Sequence, residues 1–324
     1  MYRRVRMGVI GVGHFGRFHA RHYAAHPNAD LVGVVDVDDV TARRVAAELG
    51  CSAFPTHHAI VGRIDAASLA VPTPYHFAIA KDLLEAGIDV LVEKPMTHDV
   101  ASAIELAEIA ERTGRTLQVG HIERYSASFR SLRGLVGRPL FIECNRIAPF
   151  QDRGTDIDVV FDLMIHDIDI VLGLVQSPVT TIHAVGTPVF SGRVDLASAR
   201  IEFENGCVAA VTASRVSHKT HRSMRIFQDG GYLVCDFAER RVFTYESHGA
   251  DSPDGPSAIA SRQIEVPPED SLANEIDEFL SCVLNGHSPT VDGRAGLDAM
   301  RIAEKINQNI SRHRRKVERQ RGQR

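Results

Sequence analysis

The sequence predicts an α/β fold in two parts, a parallel sheet followed by an α+β region with a large, mostly antiparallel sheet. In the first 120 residues, short continuous apolar runs alternate with helical patterns, which is typical of parallel strands covered on both faces. From residue 179, strand-like runs follow one another with short turns and no intervening helices. We therefore predict domains over 1–120 and 121–324, with a last helix near 294–311 that packs back on the first domain.

The first domain is predicted to hold five strands, each a short apolar run that ends in a turn. They are a strand before Gly11, then "LVGVVDVD", "AASLAV" at 66–71, "DVLVE" at 89–93 and "TLQVG" at 116–120. Helices are predicted after the first strand, over "PYHFAIAKDLLEAG" with Gly87 as its stop signal, and over 99–113.

The second domain is predicted to begin with a helix, a strand at 139–147, a polar loop at 148–158 and an apolar helix at 161–174. The later strands are predicted at 179–187, 196–204, 207–215, 222–228, 231–237 and 240–246. The stretches "EFENGCVA" and "QDGGYL" predict hairpin turns, and 248–258 is predicted to be a loop. Two helices, near 271–285 and 294–311, complete the predicted order of elements.

Glycines between the first strand and its helix predict a dinucleotide site. Gly11, Gly13 and Gly16 have the G-x-G-x-x-G spacing, which permits a tight turn, close approach of a pyrophosphate and close packing of the helix. Asp36 ends the second strand, twenty residues after Gly16. A carboxylate there can accept both adenosine ribose hydroxyls and would repel a 2′-phosphate, so NAD is favoured over NADP. The first domain is thus predicted to be an N-terminal Rossmann dinucleotide-binding domain.

Two further stretches come directly after strands of the parallel sheet, where ligands bind in such sheets. The first is "VPTPYH" at 71–76, which its prolines make rigid. The second contains Glu93, Lys94 and Pro95, and a lysine there would lie near the nicotinamide end of a bound dinucleotide.

The apolar helix "FDLMIHDIDIVLGL" at 161–174 carries titratable groups on one side. At about 100° per residue, Asp162, His166 and Asp169 fall within an arc of roughly 60°. Alone, this pattern fits a satisfied internal network as well as a site that faces a ligand. Asp167 lies off the arc, and a salt bridge or a contact outside the helix is expected for it. No motif supplies further metal ligands, so we predict no metal.

Composition predicts which partners and compartments to expect. The net charge is -4, and the five cysteines are scattered singly, without a disulfide or zinc pattern. The basic stretch 311–324 is interpreted as a solvated helix end. Neither nucleic acid nor a membrane is therefore expected as a partner, and a cytoplasmic protein is expected.

Four motifs together resemble the glucose–fructose oxidoreductase / inositol dehydrogenase / MocA (Gfo/Idh/MocA) oxidoreductase family. The matching residues are Gly11-Val12-Gly13-His14-Phe15-Gly16, Thr73-Pro74 with His76, Glu93-Lys94-Pro95, and Asp162 with His166 and Asp169. The stretch 159–166 lacks the glycines common in the family helix. The segments "GHIERYSASF", "RGTDIDVVFDLMIHDID" and "ARIEFENGCVA" are similar to the branch of UDP-N-acetylglucosamine 3-dehydrogenases.

The resemblance implies an NAD-dependent oxidoreductase that transfers hydride between a sugar carbinol carbon and the nicotinamide, with the 3-hydroxyl of a UDP-N-acetylhexosamine as the expected position. His166 is the candidate base, Lys94 would stabilise the developing alkoxide or itself act as the base, and Asp162 would orient His166. Asp169 is expected to play a supporting role.

Site residues implied by the motifs fall into two groups. Cofactor contacts are expected from Gly11, Gly13, His14, Phe15, Gly16, Asp36, Pro72, Thr73, His76, Glu93 and Lys94. Sugar or nucleotide-sugar contacts are expected from Arg124, Tyr125, Arg146, Asp162 and His166. The resemblance also implies a homodimer or homotetramer formed through the C-terminal sheet.

Three alternative functions stay open at this stage. The chain could be another sugar or polyol dehydrogenase of the inositol type, or a glycosidase that uses NAD transiently. It could also be a non-catalytic NAD-binding regulator on the same fold, although such a protein has no need of Lys94, Asp162 and His166 together.

Overall fold

The computed structural model describes residues 4–150, 157–247 and 259–321, and all elements below lie in those ranges. The strands are β1 (Val5–Ile10), β2 (Ala29–Val35), β3 (Ser52–Phe54), β4 (Ala66–Leu69), β5 (Asp89–Glu93), β6 (Leu117–Gly120), β7 (Pro139–Ile147), β8 (Val179–Thr187), β9 (Leu196–Phe203), β10 (Val208–Ser214), β11 (His221–Gln228), β12 (Gly231–Asp236), β13 (Arg241–Ser247) and β14 (Ile259–Ile264).

Helices lie between and after these strands. They are α1 (Gly16–Ala25), α2 (Asp39–Leu49), α3 (His57–Ile60), α4 (His76–Glu85), α5 (Val100–Thr113), α6 (Ala127–Arg133), α7 (Ile165–Val175), α8 (Ser271–Asn285) and α9 (Gly293–Arg321). Short 3-10 turns cover Thr73–Tyr75 and Ile122–Tyr125, and a π-helical turn, Val160–Met164, precedes α7. Within the described ranges, no helix combines the length and apolar character that crossing a bilayer requires.

The chain divides into two compact units, and each contains two separate stretches of sequence. The first unit holds the described residues up to Tyr125 together with Asp270–Met300, and the second holds Ser126–Glu269 together with the described residues from Arg301. This division differs from the predicted domains 1–120 and 121–324. All of α8 and the beginning of α9 belong to the first unit. The sequence predicted that only the last helix packs back on the first domain.

The first unit is built on a parallel sheet, as predicted. Its six described strands are ordered β3-β2-β1-β4-β5-β6, and all neighbours are parallel. The order reverses between β1 and β4, so the segments that follow these two strands diverge and leave a crevice at the carboxyl edge. The three-residue edge strand β3 was not predicted, because so short a stretch shows no clear period.

Helix α8 completes the core of the first unit from a distant part of the sequence. Asp270 caps it by accepting hydrogen bonds from the backbone N–H groups of Leu272 and Ala273. Its apolar residues recur at helical spacing, and Ile276 and Phe279 are buried with residues of β1 and α1 in one hydrophobic cluster. The first unit therefore depends on residues that lie some 150 positions beyond its last strand.

The second unit contains a mostly antiparallel sheet, again as predicted. Its eight described strands are ordered β14-β13-β12-β11-β7-β10-β9-β8, and only β7 and β10 are parallel. The predicted hairpins join β9 to β10 and β11 to β12, and each turn contains a glycine with positive φ, Gly206 and Gly230. The edge strand β14 was not predicted, and the predicted loop 248–258 lies outside the described residues.

A buried carboxylate organises the connection between β8 and β9. One oxygen of Asp195 accepts from the backbone N–H groups of Val189, Phe190 and Ser191. The other accepts from Ser191 Oγ at 2.6 Å and from Arg215 Nε at 2.8 Å. Burial alone would raise the pKa of Asp195, but these hydrogen bonds hold it well below its usual range.

Replacing this carboxylate should destabilise the second unit strongly. Asp195→Ala leaves Arg215 charged and buried, so we expect a loss of about 3–5 kcal/mol in the free energy of unfolding, measured by urea denaturation. Glu239 is exposed, so Glu239→Ala serves as the control and should change the free energy of unfolding by about 0.5 kcal/mol or less.

The loss in the free energy of unfolding that Asp195→Ala causes should depend on pH. Because the pKa of Asp195 is depressed in the folded state, its stabilisation is present above the ordinary carboxyl value and is lost as pH falls. The difference from wild type should therefore shrink below about pH 4. A loss under about 1 kcal/mol at neutral pH would contradict this role for Asp195.

Candidate active site

The glycine turn after β1 is fixed by close backbone contacts. Gly11 has φ 82°, and a Cβ there would lie 2.7 Å from the carbonyl oxygen of Ala70. A Cβ on Gly16 would lie 1.7 Å from the carbonyl oxygen of Gly11. A Cβ on Gly13 would meet no atom within 4 Å. The protein itself therefore requires the first and third glycines, and the space over the second fits the pyrophosphate of a dinucleotide.

Asp36 follows β2 beside this turn and is held by the backbone. Its Oδ2 accepts from the N–H of Val12 at 2.8 Å, and its Oδ1 accepts from the N–H of Asp38 at 3.0 Å. These contacts bring the carboxylate to the glycine turn, as expected for a residue that binds ribose. Val37, next to it, is fully exposed.

The segments after β1 and β4 present several predicted cofactor contacts at the surface. Gly13, His14, Phe15 and Pro72 are exposed, and Thr73 is half-buried. The ring of Phe15 stands edge-on to His14, with centroids 5.1 Å apart. These residues stay available as predicted cofactor contacts.

His76, a predicted cofactor contact, has a different place. Its ring is buried, with Nε2 2.8 Å from the carbonyl oxygen of Val71 and Nδ1 3.0 Å from that of Pro95. Burial lowers its pKa. Because both ring nitrogens face carbonyl oxygens of the protein, His76 joins the segment after β4 to the segment after β5. Its role as a cofactor contact stays a prediction.

Glu93, at the end of β5, is also engaged inside the protein. Its Oε1 lies 3.0 Å from Nε2 of His19, and Nδ1 of His19 lies 3.2 Å from Oγ of Ser68, which also contacts the hydroxyl of Tyr23 at 2.7 Å. Lys94 follows and is half-buried. The sequence analysis missed His19, Ser68 and Tyr23, since their partners lie 45 to 74 residues away.

The predicted polar helix of the second unit begins with an unexpected turn. The N–H of Ile165 bonds the carbonyl oxygen of Val160, five residues earlier, so Asp162 lies in a π-helical turn and the prediction of one regular helix over 161–174 was wrong. Such a turn inserts a residue and changes the direction of the side chains around it; π turns are frequent at functional sites. Asp162 and His166 are half-buried, whereas Asp169 is buried.

Arg146 and Asp167 form a buried ion pair. Nε of Arg146 lies 2.9 Å from Oδ2 of Asp167, and Nη2 lies 3.0 Å from Oδ1. Both side chains are about 4% exposed. The salt bridge expected for Asp167 is therefore present. The pair holds Arg146 against α7, and a sugar contact from Arg146 stays a prediction.

Tyr125, also a predicted sugar contact, lies inside the first unit. Its hydroxyl donates to Oε2 of Glu278 at 2.5 Å, and its ring is buried. The contact with Glu278 ties Tyr125 to α8, and its role as a sugar contact stays a prediction. Neighbouring Arg124 is half-buried and keeps its predicted role.

Among the described residues, two groups of three side chains have possible metal-ligating atoms within 4.8 Å of one another. They are His57, His58 and Asp82, and His19, Glu93 and Glu275. Neither group contains Asp162 or His166, the pair considered in the sequence analysis.

Comparisons with known proteins agree with this architecture. A model of an oxidoreductase family with an NAD-binding Rossmann fold matches residues 5–121, and a model of the GFO/IDH/MocA C-terminal domain matches residues 122–234. The UDP-N-acetylglucosamine 3-dehydrogenase of Acidithiobacillus ferrooxidans is 39% identical over 303 residues, 93% of this chain and 96% of that protein. The scyllo-inositol 2-dehydrogenase (NAD(+)) of Bacillus subtilis is 28% identical over 90% of each.

Solved structures give the same result. A structure of the Acidithiobacillus ferrooxidans UDP-N-acetylglucosamine 3-dehydrogenase has a TM-score of 0.88 at 37% identity, covering 95% of this chain and 98% of that one. An apo scyllo-inositol dehydrogenase of Lactobacillus casei has a TM-score of 0.79 at 19% identity, covering 97% and 98%, and shows the shared fold. The predicted resemblance, the Rossmann domain and the use of NAD are confirmed by these matches.

The glycine turn offers a matched pair of substitutions. Gly13→Ala adds a methyl group that meets no protein atom, so we expect wild-type thermal stability but NADH binding weakened at least tenfold, measured by NADH fluorescence. Gly16→Ala places a methyl group against the carbonyl of Gly11 and should lower the melting temperature as well. Unchanged NADH affinity in Gly13→Ala would contradict the proposed path of the pyrophosphate.

Proposed function

The chain belongs to the GFO/IDH/MocA oxidoreductase family, and we propose that it is an NAD-dependent dehydrogenase that oxidises the 3-hydroxyl of a UDP-N-acetylhexosamine. The observation that carries this proposal is the 39% identity, over 93% of the chain, to a UDP-N-acetylglucosamine 3-dehydrogenase. The presence of Lys94, Asp162 and His166 in one chain supports chemistry rather than cofactor binding alone.

The residues present fit NAD, and each has a defined task. The glycine turn would hold the pyrophosphate, and Asp36 would accept the ribose hydroxyls. When bound, NAD accepts a hydride at C4 of its nicotinamide. Lys94, at the end of β5, would donate a hydrogen bond to the sugar oxygen and stabilise the charge that develops there.

His166 is the proposed base that takes the hydroxyl proton as the hydride leaves. An imidazole titrates near neutral pH, which suits proton transfer. Asp162 would orient the ring of His166 or bind a neighbouring hydroxyl, and Asp169 would support it. Lys94 remains an alternative base, since a lysine whose pKa is depressed by burial can also accept a proton.

An inositol-type dehydrogenase is the second candidate. It is favoured by the match to a scyllo-inositol dehydrogenase over 90% of the chain. The absence of glycine from the sequence 159–166, where the family helix commonly has it, argues for a different sugar subsite.

We also propose that the chain forms a homodimer or homotetramer through the sheet of the second unit. A row of aromatic residues crosses this sheet, in which Phe227 pairs with Phe141 and with Tyr232, and Tyr232 stacks on Tyr245 with centroids 4.4 Å apart. Such a row offers a broad apolar contact surface. The five cysteines, all within the described residues, form no disulfide, which supports the expected cytoplasmic location.

Activity assays with nucleotide sugars test the proposed reaction and the proposed roles of Lys94 and His166 together. Wild type should form NADH from NAD and UDP-N-acetylglucosamine, measured by absorbance. Lys94→Ala and His166→Ala should each lower kcat at least 100-fold. In His166→Ala, which changes no predicted cofactor contact, the Kd for NADH should stay within about threefold of wild type. The exposed lysine on α4 gives a control, Lys81→Ala, which should keep wild-type kcat. NADH formation from free inositol but from no UDP-sugar would contradict the proposal.

Cofactor preference tests Asp36 separately. Wild type should use NAD with at least tenfold higher kcat/KM than NADP, because a 2′-phosphate would meet the carboxylate. Asp36→Asn retains an acceptor for the N–H of Val12 but removes the charge, so the ratio should fall towards one. Melting temperatures of both proteins control for folding, and equal wild-type efficiency with the two cofactors would refute the assignment.

A further inference from the structure

The carboxyl group of Glu275, in α8, is fully buried and lacks the contacts that an ionised carboxylate needs. The side chain is 0% exposed. Neither of its oxygens has a hydrogen-bond partner among the residues that the structure describes. An unpaired buried carboxylate is costly, and a group so placed takes up a proton instead.

Its neighbours make a second negative charge still less favourable. The ligand atoms of Glu275, His19 and Glu93 lie within 4.8 Å of one another. Burial raises the pKa of Glu275 well above its ordinary value, and the charges of Glu93 and Glu278 raise it further. Two carboxyl groups at this distance do not both ionise readily.

Glu93 is the member of the pair that stays ionised. Burial alone would raise its pKa, but the hydrogen bond and charge of His19, together with the charge of Lys94, lower it. The proton therefore resides on Glu275, and the negative charge resides beside His19.

Other groups around Glu275 agree with this state. Tyr23 faces it from α1 as a neutral phenol, because burial raises its pKa. From β6, Nε2 of Gln118 donates to the backbone carbonyl of Glu275 at 3.1 Å, while Oε1 of Gln118 is buried without a partner in the described ranges.

We propose that Glu275 is a neutral acid which, together with His19, holds Glu93 ionised and in place, so that the three are positioning residues for Lys94. The inference rests on the proposed role of Lys94. Lys94 directly follows Glu93, and the end of β5 is held by the contact from α1. Substitutions at His19 or Glu275 should therefore displace Glu93 or neutralise its charge, and they should do so without changing a contact with the substrate.

Infrared spectroscopy tests the protonation state without any activity. The difference spectrum between wild type and Glu275→Gln at neutral pH, with carbon-13-labelled glutamate, should show loss of a carboxylic-acid carbonyl band. Exposed Glu108 in α5 supplies the control, Glu108→Gln, which should lose only carboxylate bands. Loss of only carboxylate bands in Glu275→Gln would overturn the proposal, as would a stoichiometric metal ion present in wild type and lost in that variant.

The pH dependence of stability gives a second test. A carboxyl whose folded pKa is raised destabilises the fold above its ordinary unfolded value, because only the unfolded chain then loses the proton. The unfolding equilibrium constant of wild type, relative to Glu275→Gln, should rise about tenfold per pH unit from pH 5 to 7. A constant ratio would overturn the neutral-acid state.

Kinetics test the positioning role. His19→Gln and Glu275→Ala should lower kcat at least tenfold and shift the pH profile of kcat, while the KM for NAD changes less than threefold. The conservative Glu275→Gln should keep at least ten times the kcat of Glu275→Ala. If wild type is active and both His19→Gln and Glu275→Ala keep kcat within threefold of wild type, the positioning role is refuted. The proposed function then stands. Wild type inactive on every UDP-sugar would instead refute the proposed function, while the spectroscopic and unfolding results still decide the state of Glu275.

Discussion

The close approach of Gly16 to the carbonyl oxygen of Gly11 fixes where α1 begins relative to β1. No side chain larger than hydrogen fits there, so the helix starts directly at the carboxyl edge of the sheet. The same helix carries His19 and Tyr23, which reach Ser68 and, through His19, Glu93. One backbone contact thus determines both the loop that fits the pyrophosphate and the support of the strand end that presents Lys94.

In the second unit, buried ion pairs hold elements in position. Arg146 holds α7 through Asp167, and Arg215 holds the connection between β8 and β9 through Asp195. Every one of these side chains is almost fully buried, so each needs its partner. The ion pair of Arg146 with Asp167 thus anchors α7, which directly follows the π-helical turn that contains Asp162.

Elements with strong local signals could be predicted from the sequence, and contacts between distant residues could not. The helix predicted near 271–285 and the strand predicted at 139–147 match α8 and β7 at their observed bounds. The π-helical turn has no local signal, since its hydrogen bond depends on how the helix packs. The hydrogen bond between Tyr125 and Glu278 joins residues 153 positions apart, so no local pattern predicts it.

The proposed reaction moves hydride from C3 of a UDP-N-acetylhexosamine to NAD. Mass spectrometry of the reduced cofactor, after turnover of UDP-N-acetylglucosamine that carries deuterium at C3, follows this transfer. We expect one deuterium in every NADH formed, and none when the deuterium is at C4 of the sugar. NADH that forms without deuterium from the C3-labelled sugar would rule out transfer from C3.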